Sequence, residues 1–469
     1  MPMKSKKMSQ LDAMFLYGET RETMMHVAGL LHFSFPENAS SNFLRDLVKE
    51  LKDSAEIHPP WNMKLKTPQF LYNPVNKWIE DEAFDLDYHI RRSALPSPGD
   101  ERELGILVSY LHSNQLDFTR PPWELHLIEG MENGKFALYV KVHHALIDGY
   151  TSMRILSRSL SSDRHDHEQP MFFSIPPIKR NKQPSDEEPP TFTSMLEHFW
   201  EYMGSVQHVG RALIDLRNAG KNEFKNLVSS IQAPNCILNG KIGRNRRFAT
   251  QQYTIERLKA LGRSVGGTLN DVVIAICAGG LRKFLLELGE LPEKPLIAFM
   301  PVNVRPKDDP GGGNAVGVML ASMATDIKDP AKRIEAIIDS TRKAKEQMHG
   351  MSQNAILAYS ALLMAPFGFQ SIKAIAGISG KIPLTFNVCI SNVPGPDSSL
   401  FFRGAHLDAT YPVSIPVHGM ALNITCQSYN GTLNFGFIGC RDTLPHLQRL
   451  AVYTGEALEE LEKTIHSNG

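Results

Sequence analysis

The 469-residue sequence predicts an α/β protein with mixed sheets, divided into two domains. Three observations carry that prediction. The chain is too long for one ordinary hydrophobic core, so two domains are the default. Strand-like and helix-like apolar patterns mix in both halves, without the regular alternation of a parallel βαβ series. A tract of mixed charge and repeated proline, residues 161–190, interrupts the patterned sequence. The expected division is an N-terminal domain over 1–160, an exposed linker over 161–190, a mainly helical crossover over 191–240 and a C-terminal domain over 241–469.

Before the linker, Ser9 and Asp12 have the spacing of a capping box that opens a short helix. Met25 to Phe35 reads as a strand, and Asn42 to Leu51 as a helix with Phe43, Leu44, Leu47 and Leu51 inward. Gly105 to His112 is a further helix. Glu124 to Glu129 and Lys135 to His144 read as paired strands, because Asn133-Gly134 between them favours a hairpin. Thr151 caps a helix containing Met153, Ile155, Leu156 and Leu160. In the second half, Thr268 and Asp271 form another capping box, opening a long helix through Val272, Ile276, Leu281, Phe284 and Leu288. Pro295 to Val304 is a buried strand. Asp329-Pro330 starts a helix that carries Ile334, Ile337 and Ile338 and ends near Gly350. Thr385 to Ser391, Met420 to Tyr429 and Thr432 to Ile438 are strands, and Asp442 opens a terminal helix with Leu447, Leu450, Leu458 and Leu461.

Composition excludes several classes. Lys+Arg and Asp+Glu balance at 50 each, which gives no footprint for nucleic acid. The five cysteines are scattered with no Cys-x-x-Cys, as in a reduced, cytosolic protein. Lys4, Lys6 and Lys7 have no apolar run behind them and are not a secretory signal. The apolar stretch Ala355 to Ile378 is broken by Ser360, Pro366, Gln370, Ser371 and Lys373, so it is not a membrane span. It reads as a buried helix pair broken at Pro366, as a wall for long apolar chains, or as a surface that touches lipid. His165 and His167 sit in the charged tract and read as solvated.

The chemistry concentrates at His143-His144-Ala145-Leu146-Ile147-Asp148-Gly149. Phe136, Leu138, Val140 and Val142 alternate along the strand, and His144 falls in phase with them. His143 falls on the other face with Ala137, Tyr139 and Lys141. The strand thus aims the His144 imidazole inward, where a neutral ring can take a proton near pH 7. A hydrogen-bonded core histidine before an Asp-Gly turn accounts for the same residues. Metal binding does not, because adjacent strand residues face opposite ways and chelate one ion poorly.

Further blocks accompany the histidines. They are Leu11-Asp12-Ala13-Met14-Phe15, Met25-His26-Val27, Arg120-Pro121-Pro122-Trp123-Glu124, Asn270-Asp271, Pro301 to Pro306, Gly313 to Gly317 and Ser391-Asn392-Val393-Pro394-Gly395-Pro396. Together they resemble the bacterial wax ester synthase/diacylglycerol acyltransferases, within the superfamily of chloramphenicol acetyltransferase and condensation domains. The resemblance covers nearly the whole chain, although Pro122 stands where that family usually has leucine. It implies two chloramphenicol acetyltransferase-like domains with the active site in a tunnel between them.

The implied reaction moves a fatty acyl group from acyl-CoA to a long-chain alcohol or to diacylglycerol, without an acyl-enzyme. Acyl-CoA enters as a substrate, and no cofactor or metal is implied. On this reading His144 is the general base, His143 supports it, and Asp148 has a structural or orienting role beside Gly149. Asn270 orders the site or donates to the oxyanion; Asp271 starts a helix; Trp123 and Asn392 support the site. Arg244, Arg246 and Arg247 form a basic cluster that meets the CoA phosphates or is a solvated turn. The expected location is cytoplasmic, with peripheral contact at the membrane's inner face or at lipid inclusions. Two alternatives remain open: a condensation-type enzyme served by a carrier protein, and a non-enzymatic lipid-binding protein.

Overall fold

The computed structural model describes residues 5–8, 10–53, 56–69, 76–147, 156–176, 233–303, 316–349, 356, 360 and 385–468. In chain order the first half contains β1 (Ser5–Lys7), α1 (Gln10–Tyr17), β2 (His26–Ser34), α2 (Phe43–Asp53), β3 (Met63–Leu65), β4 (Lys77–Glu80), α3 (Leu86–His89), β5 (Ile90–Ala94), α4 (Glu101–His112), β6 (Trp123–Met131) and β7 (Lys135–His143). The second half contains β8 (Arg246–Thr254), α5 (Ile255–Ser264), α6 (Leu269–Glu287), β9 (Ile297–Asn303), β10 (Val316–Ser322), α7 (Pro330–Met348), β11 (Val388–Val393), β12 (Phe401–Phe402), β13 (Ala405–Val413), β14 (Leu422–Tyr429), β15 (Thr432–Cys440) and α8 (Gln448–Asn468).

Two mixed six-stranded sheets organise these elements. One has the order β12-β13-β2-β7-β6-β5, the other β10-β9-β11-β14-β15-β8. A small antiparallel sheet, β1-β4-β3, accompanies the first. Local signals explain many of the elements. Asn133 and Gly134 both take left-handed backbone, with φ of 59° and 64°, and close the β6–β7 hairpin. The Asp271 carboxylate accepts from the Thr268 N–H and hydroxyl, both at 2.7 Å, at the start of α6. Asp329 accepts from the Lys332 N–H at 2.9 Å at the start of α7, with Pro330 in its first turn.

The first sheet is buried on both faces. Phe136, Leu138, Val140 and Val142 pack with Leu125, Leu127 and Trp123 on one side. Ala137 and Tyr139 pack with Leu30, Ile128, Phe248 and Tyr411 on the other. The second sheet shares a core with α6, whose Val272 to Leu281 are all buried, and with Leu447, Leu450, Leu458 and Leu461 near and on α8.

Several strands, among them β8 and β10, are not expected from the sequence, and three further differences shape the fold. Strand β13 is unforeseen, and it crosses to the first sheet, where Thr410, Tyr411 and Val413 pair with Leu31, Leu30 and Ala28 of β2. The C-terminal half therefore completes the N-terminal sheet. The tract expected to be an exposed linker is exposed at 162–165, but Met171, Phe172 and Phe173 are buried against Trp61 and Trp123. Burial of these apolar side chains outweighs the surrounding proline and charge. The terminal helix begins at Gln448, after turns over 441–447, and not at Asp442. The helix expected after Thr151 is described only from Leu156. The apolar stretch Ala355 to Ile378 and the crossover before 233 lie outside the described residues, apart from 356 and 360.

The halves also meet through α4 and β8. The Arg246 and Phe248 N–H groups on the edge of the second sheet donate to Ser113 Oγ at 2.8 Å and Ser109 Oγ at 2.9 Å. These hydroxyls do for the edge strand what a neighbouring strand would do. Ser109→Ala leaves the buried Phe248 N–H without its acceptor. The expected loss is about 1–3 kcal/mol of unfolding free energy in urea titrations. An unchanged midpoint and slope would show that the hydroxyl is dispensable.

Candidate active site

The central strands β2 and β7 place the histidine pair. They run antiparallel with His26 opposite His143. The His143 N–H donates to the Pro122 carbonyl at 2.9 Å, a bond that needs only the backbone oxygen proline retains. The chain then turns, with the Leu146 N–H donating to His143 O at 2.9 Å. His144 lies in that turn, and its N–H donates to Met25 O at 2.9 Å.

The strand alternation therefore stops one residue earlier than the sequence suggests. His143 is fully buried and His144 is half-buried. The expected in-phase placement of His144 is corrected accordingly, because the turn redirects its Cα–Cβ bond. Its ring stacks on Phe15 of α1, with centroids 3.9 Å apart and planes at 20°. His143 meets the edge of Phe118 at 5.0 Å. Its Nδ1 accepts from the Ala145 N–H at 3.1 Å, and its Nε2 faces Glu19 Oε2 at 3.4 Å.

Glu19 is the residue that sequence reasoning missed. It lies in the turn after α1, and nothing in its neighbours' spacing links it to His143. Its carboxylate is buried and also accepts from the Met25 N–H and from Gln115 Nε2, the latter at 3.0 Å.

A polar patch extends from the histidines along the same sheet face. Lys141 is 1 % exposed, and its ammonium meets Glu124 Oε2 at 3.2 Å and the carbonyls of Leu111 and Asn114 at 3.0 and 3.1 Å. A cation at the end of α4 suits the helix dipole. Burial pushes the Glu124 carboxyl up, but the His126 hydrogen bond and the Lys141 and Arg91 charges outweigh it and hold it at about 2. His112 links Tyr139 Oη, 2.9 Å from its Nδ1, to the Ser414 carbonyl, 3.0 Å from its Nε2. Burial and the neighbouring Lys141 and Arg246 charges lower it to about 3. His26 is lowered well below the ordinary imidazole value, by burial first and then by His112 and Lys141.

The other expected residues fall into place separately. Trp123 is fully buried beside the β7 end; its Nε1 donates to Trp61 O at 2.7 Å and its ring stacks on His89 at 4.4 Å. On the second sheet, Asn392 at the end of β11 donates through Nδ2 to Asn270 Oδ1 at 2.9 Å. Asp271 is buried and committed to structure, since it also accepts from the Thr341 hydroxyl of α7 at 2.6 Å.

The expected arginine cluster breaks up. Arg246 is 2 % exposed, and its guanidinium donates to the Gly243 and Glu22 carbonyls. Meeting a phosphate would cost it both bonds. Arg244 is exposed and Arg247 half-buried. Asp148, Gly149, residues 304–306 and residues 313–315 lie outside the described residues. Burial raises the thiols of Cys236, to about 11, and Cys389, to about 12, and raises Cys277 and Cys426 as well. None of these four is a thiolate at neutral pH.

Comparison with known proteins names the architecture. Residues 8–273 match the wax ester synthase/diacylglycerol acyltransferase catalytic domain, and residues 312–462 match the C-terminal domain of the same enzymes. The chain belongs to the wax ester synthase/diacylglycerol acyltransferase family. A Mycobacterium tuberculosis protein, provisionally named a diacylglycerol O-acyltransferase, is 52% identical over 489 aligned residues, 98% of each chain. The O-acyltransferase WSD of Acinetobacter baylyi is 39% identical, over 97% of this chain and 96% of that one. The wax ester synthase/diacylglycerol acyltransferase structure from Marinobacter aquaeolei VT8 superposes with a TM-score of 0.77 at 37% identity, covering 98% of this chain and 100% of that one.

Family members have the two-domain, mixed α/β architecture seen here, and this chain is an acyl-CoA-dependent O-acyltransferase. The first condensation domain of the calcium-dependent antibiotic synthetase shares the fold alone, with a TM-score of 0.56 at 15% identity. Among the described residues, no helix is long and apolar enough to cross a membrane.

The buried imidazoles set an acid limit on stability. His32 and His89 are held at about 4, chiefly by burial, and His112 at about 3. Below pH 6.5 the unfolded chain protonates at these sites while the folded chain does not. Each site then removes ~1.4 kcal/mol of stability per pH unit as the pH falls from 6.5 toward 4. Glu124 adds to the loss only below about 4.5, its unfolded value. Urea midpoints should therefore drop steeply between pH 6.5 and 5. Equal midpoints at pH 7 and 5 would contradict neutral burial of these rings.

Proposed function

We propose that the protein esterifies long-chain alcohols and diacylglycerol with fatty acyl-CoA, with His144 as general base and no acyl-enzyme. The observation that carries this reading is the placement of His144 on the turn after β7, half-buried and stacked on Phe15, with His143 buried behind it. A half-buried imidazole remains reachable by a substrate hydroxyl. A free hydroxyl is almost wholly protonated, so a base that removes the proton as the C–O bond forms lowers the barrier. The alcohol oxygen attacks the thioester carbonyl and His144 takes its proton. The tetrahedral intermediate then collapses, the C–S bond breaks, and the imidazolium returns the proton to the leaving CoA thiolate. The thiols of Cys236, Cys277, Cys389 and Cys426, all raised above the ordinary value, support direct transfer over an intermediate linked to any of them.

Asn270 is assigned to ordering the site or to the developing oxyanion. Support comes from Asn392, whose bond to Asn270 Oδ1 directs the Asn270 amide N–H groups elsewhere. His143 supports His144 from behind, with Asp148 and Gly149 shaping the turn. Arg247 sits near Arg102 and Arg441, and burial together with their charges lowers its pKa. Such crowding of like charge supports binding of the CoA phosphates by Arg247, with Arg244 beside it. The protein works in the cytoplasm and meets its insoluble acceptor at the inner face of the membrane or on lipid inclusions.

His144→Ala should lower kcat by roughly 10²- to 10⁴-fold with palmitoyl-CoA and hexadecanol or dioleoylglycerol, while the melting temperature holds. A folded variant with full ester formation removes the base assignment. Arg247→Ala should raise KM for acyl-CoA several-fold, with kcat unchanged and a weaker salt dependence. An unchanged KM at low and high salt would remove the phosphate contact.

A further inference from the structure

We infer that Glu19 is a positioning residue for acyl transfer: its carboxylate orients the buried His143 and, through the turn that follows, sets the place of His144. The inference rests on the reading of His144 as base. Two routes lead from Glu19 to His144. On the first, His143 Nδ1 accepts from the Ala145 N–H, so the single proton of a neutral ring sits on Nε2. That nitrogen faces Glu19 Oε2 at 3.4 Å, with both side chains 1% exposed. The Ala145 bond thus sets the tautomer, and the Nε2–H it leaves is buried beside the carboxylate, with Glu19 the acidic group at that nitrogen. On the second route, Glu19 accepts from the Met25 N–H, and the Met25 carbonyl accepts from the His144 N–H. The same carboxylate braces the residues on both sides of the base.

Gln115 fixes the carboxylate from a third direction, through its bond to Oε1 and a second bond of 3.0 Å to the Thr20 carbonyl. Phe15, four residues before Glu19, stacks on His144. One short N-terminal segment therefore contacts both histidines.

Charge adds to position. An imidazolium forms at His144 when it takes the alcohol proton, and a carboxylate behind the pair favours that state. Among the described residues, the charged and titratable groups facing this region include Lys141 on β7, His26 on β2, Glu124 on β6, His112 on α4, Arg246 on β8 and Arg91 on β5. Lys141 is matched by Glu124, while Arg246 is held by carbonyls. Glu19 acts on both cations as well as on His143.

The test uses Glu19→Gln, Glu19→Asp, His144→Ala and the His144→Ala/Glu19→Gln double variant of the full chain. Readouts are melting temperature, kcat and KM for both substrates, and the pH dependence of kcat. Glu19→Gln keeps the side-chain shape but removes the charge and brings an amide N–H₂ against donors. Its kcat should fall by about 10- to 100-fold, the rate equivalent of one hydrogen bond to a charged group. KM should stay within about twofold, and the acid limb of the profile should move to lower pH. Glu19→Asp should recover part of kcat and of the limb position. In the His144→Ala background, Glu19→Gln should change kcat no further.

Wild-type kcat and pH profile in Glu19→Gln would overturn the inference. A kcat loss matched by lost folded protein, with the limb unmoved and no recovery in Glu19→Asp, would reduce Glu19 to a structural brace. Full activity in His144→Ala would instead remove the base assignment. In that case a Glu19→Gln effect that persists in the double variant would leave Glu19 acting through His143 alone.

Discussion

Strand β13 is the constraint on which both halves depend. It leaves the C-terminal half, lies between β12 and β2, and completes a sheet whose other four strands come from the N-terminal half. At Pro412 it also touches the second sheet. A Cβ placed on Gly436 of β15 would lie 1.8 Å from the Pro412 carbonyl oxygen, so only glycine admits this approach. The first sheet thus takes strands from both halves, and one of those strands makes a close backbone contact with the second sheet. Phe248 and Ile438 of the second sheet accordingly sit in the same apolar cluster as Leu30 and Tyr139 of the first.

The histidine pair stands at one end of this shared body, where the apolar face of the first sheet gives way to charge. An isolated buried ammonium or carboxylate would be costly. Here Lys141, Glu124, His126 and Arg91 satisfy one another, and carbonyls at the end of α4 complete the Lys141 shell. The group is therefore firm. It borders the backbone that carries His143 and His144, which Glu19 also meets. Firm support is the property a base needs if it is to meet a hydroxyl within hydrogen-bond reach.

Much of this was legible where the cause is local. The Thr268–Asp271 and Asp329–Pro330 starts, the Asn133-Gly134 turn and the apolar faces of β7 follow from neighbours within a few residues. The features that escaped depend on distant partners. In β13, Leu407, Ala409, Tyr411 and Val413 do alternate with more polar residues, but Pro412 argues against a strand, and its partner in β2 is nearly four hundred residues away. Arg246 looks like part of a surface cluster until the Glu22 carbonyl claims it from more than two hundred residues off. Glu19 carries no motif at all, and its meaning appears only when β2 and β7 bring Met25 and His143 to it.

Adjacency of the two histidines then has a physical reason of its own. Neighbouring residues at a strand end cannot share an environment, because one side chain follows the pleat and the next follows the turn. His143 keeps the strand's direction and goes into the buried patch, where a backbone N–H donates to its Nδ1 and a carboxylate lies 3.4 Å from its Nε2. His144 leaves with the turn and takes a half-buried position against Phe15. The same geometry that makes the pair a poor metal chelate makes it suited to divided work. One ring can be locked in a single tautomer while the other stays reachable.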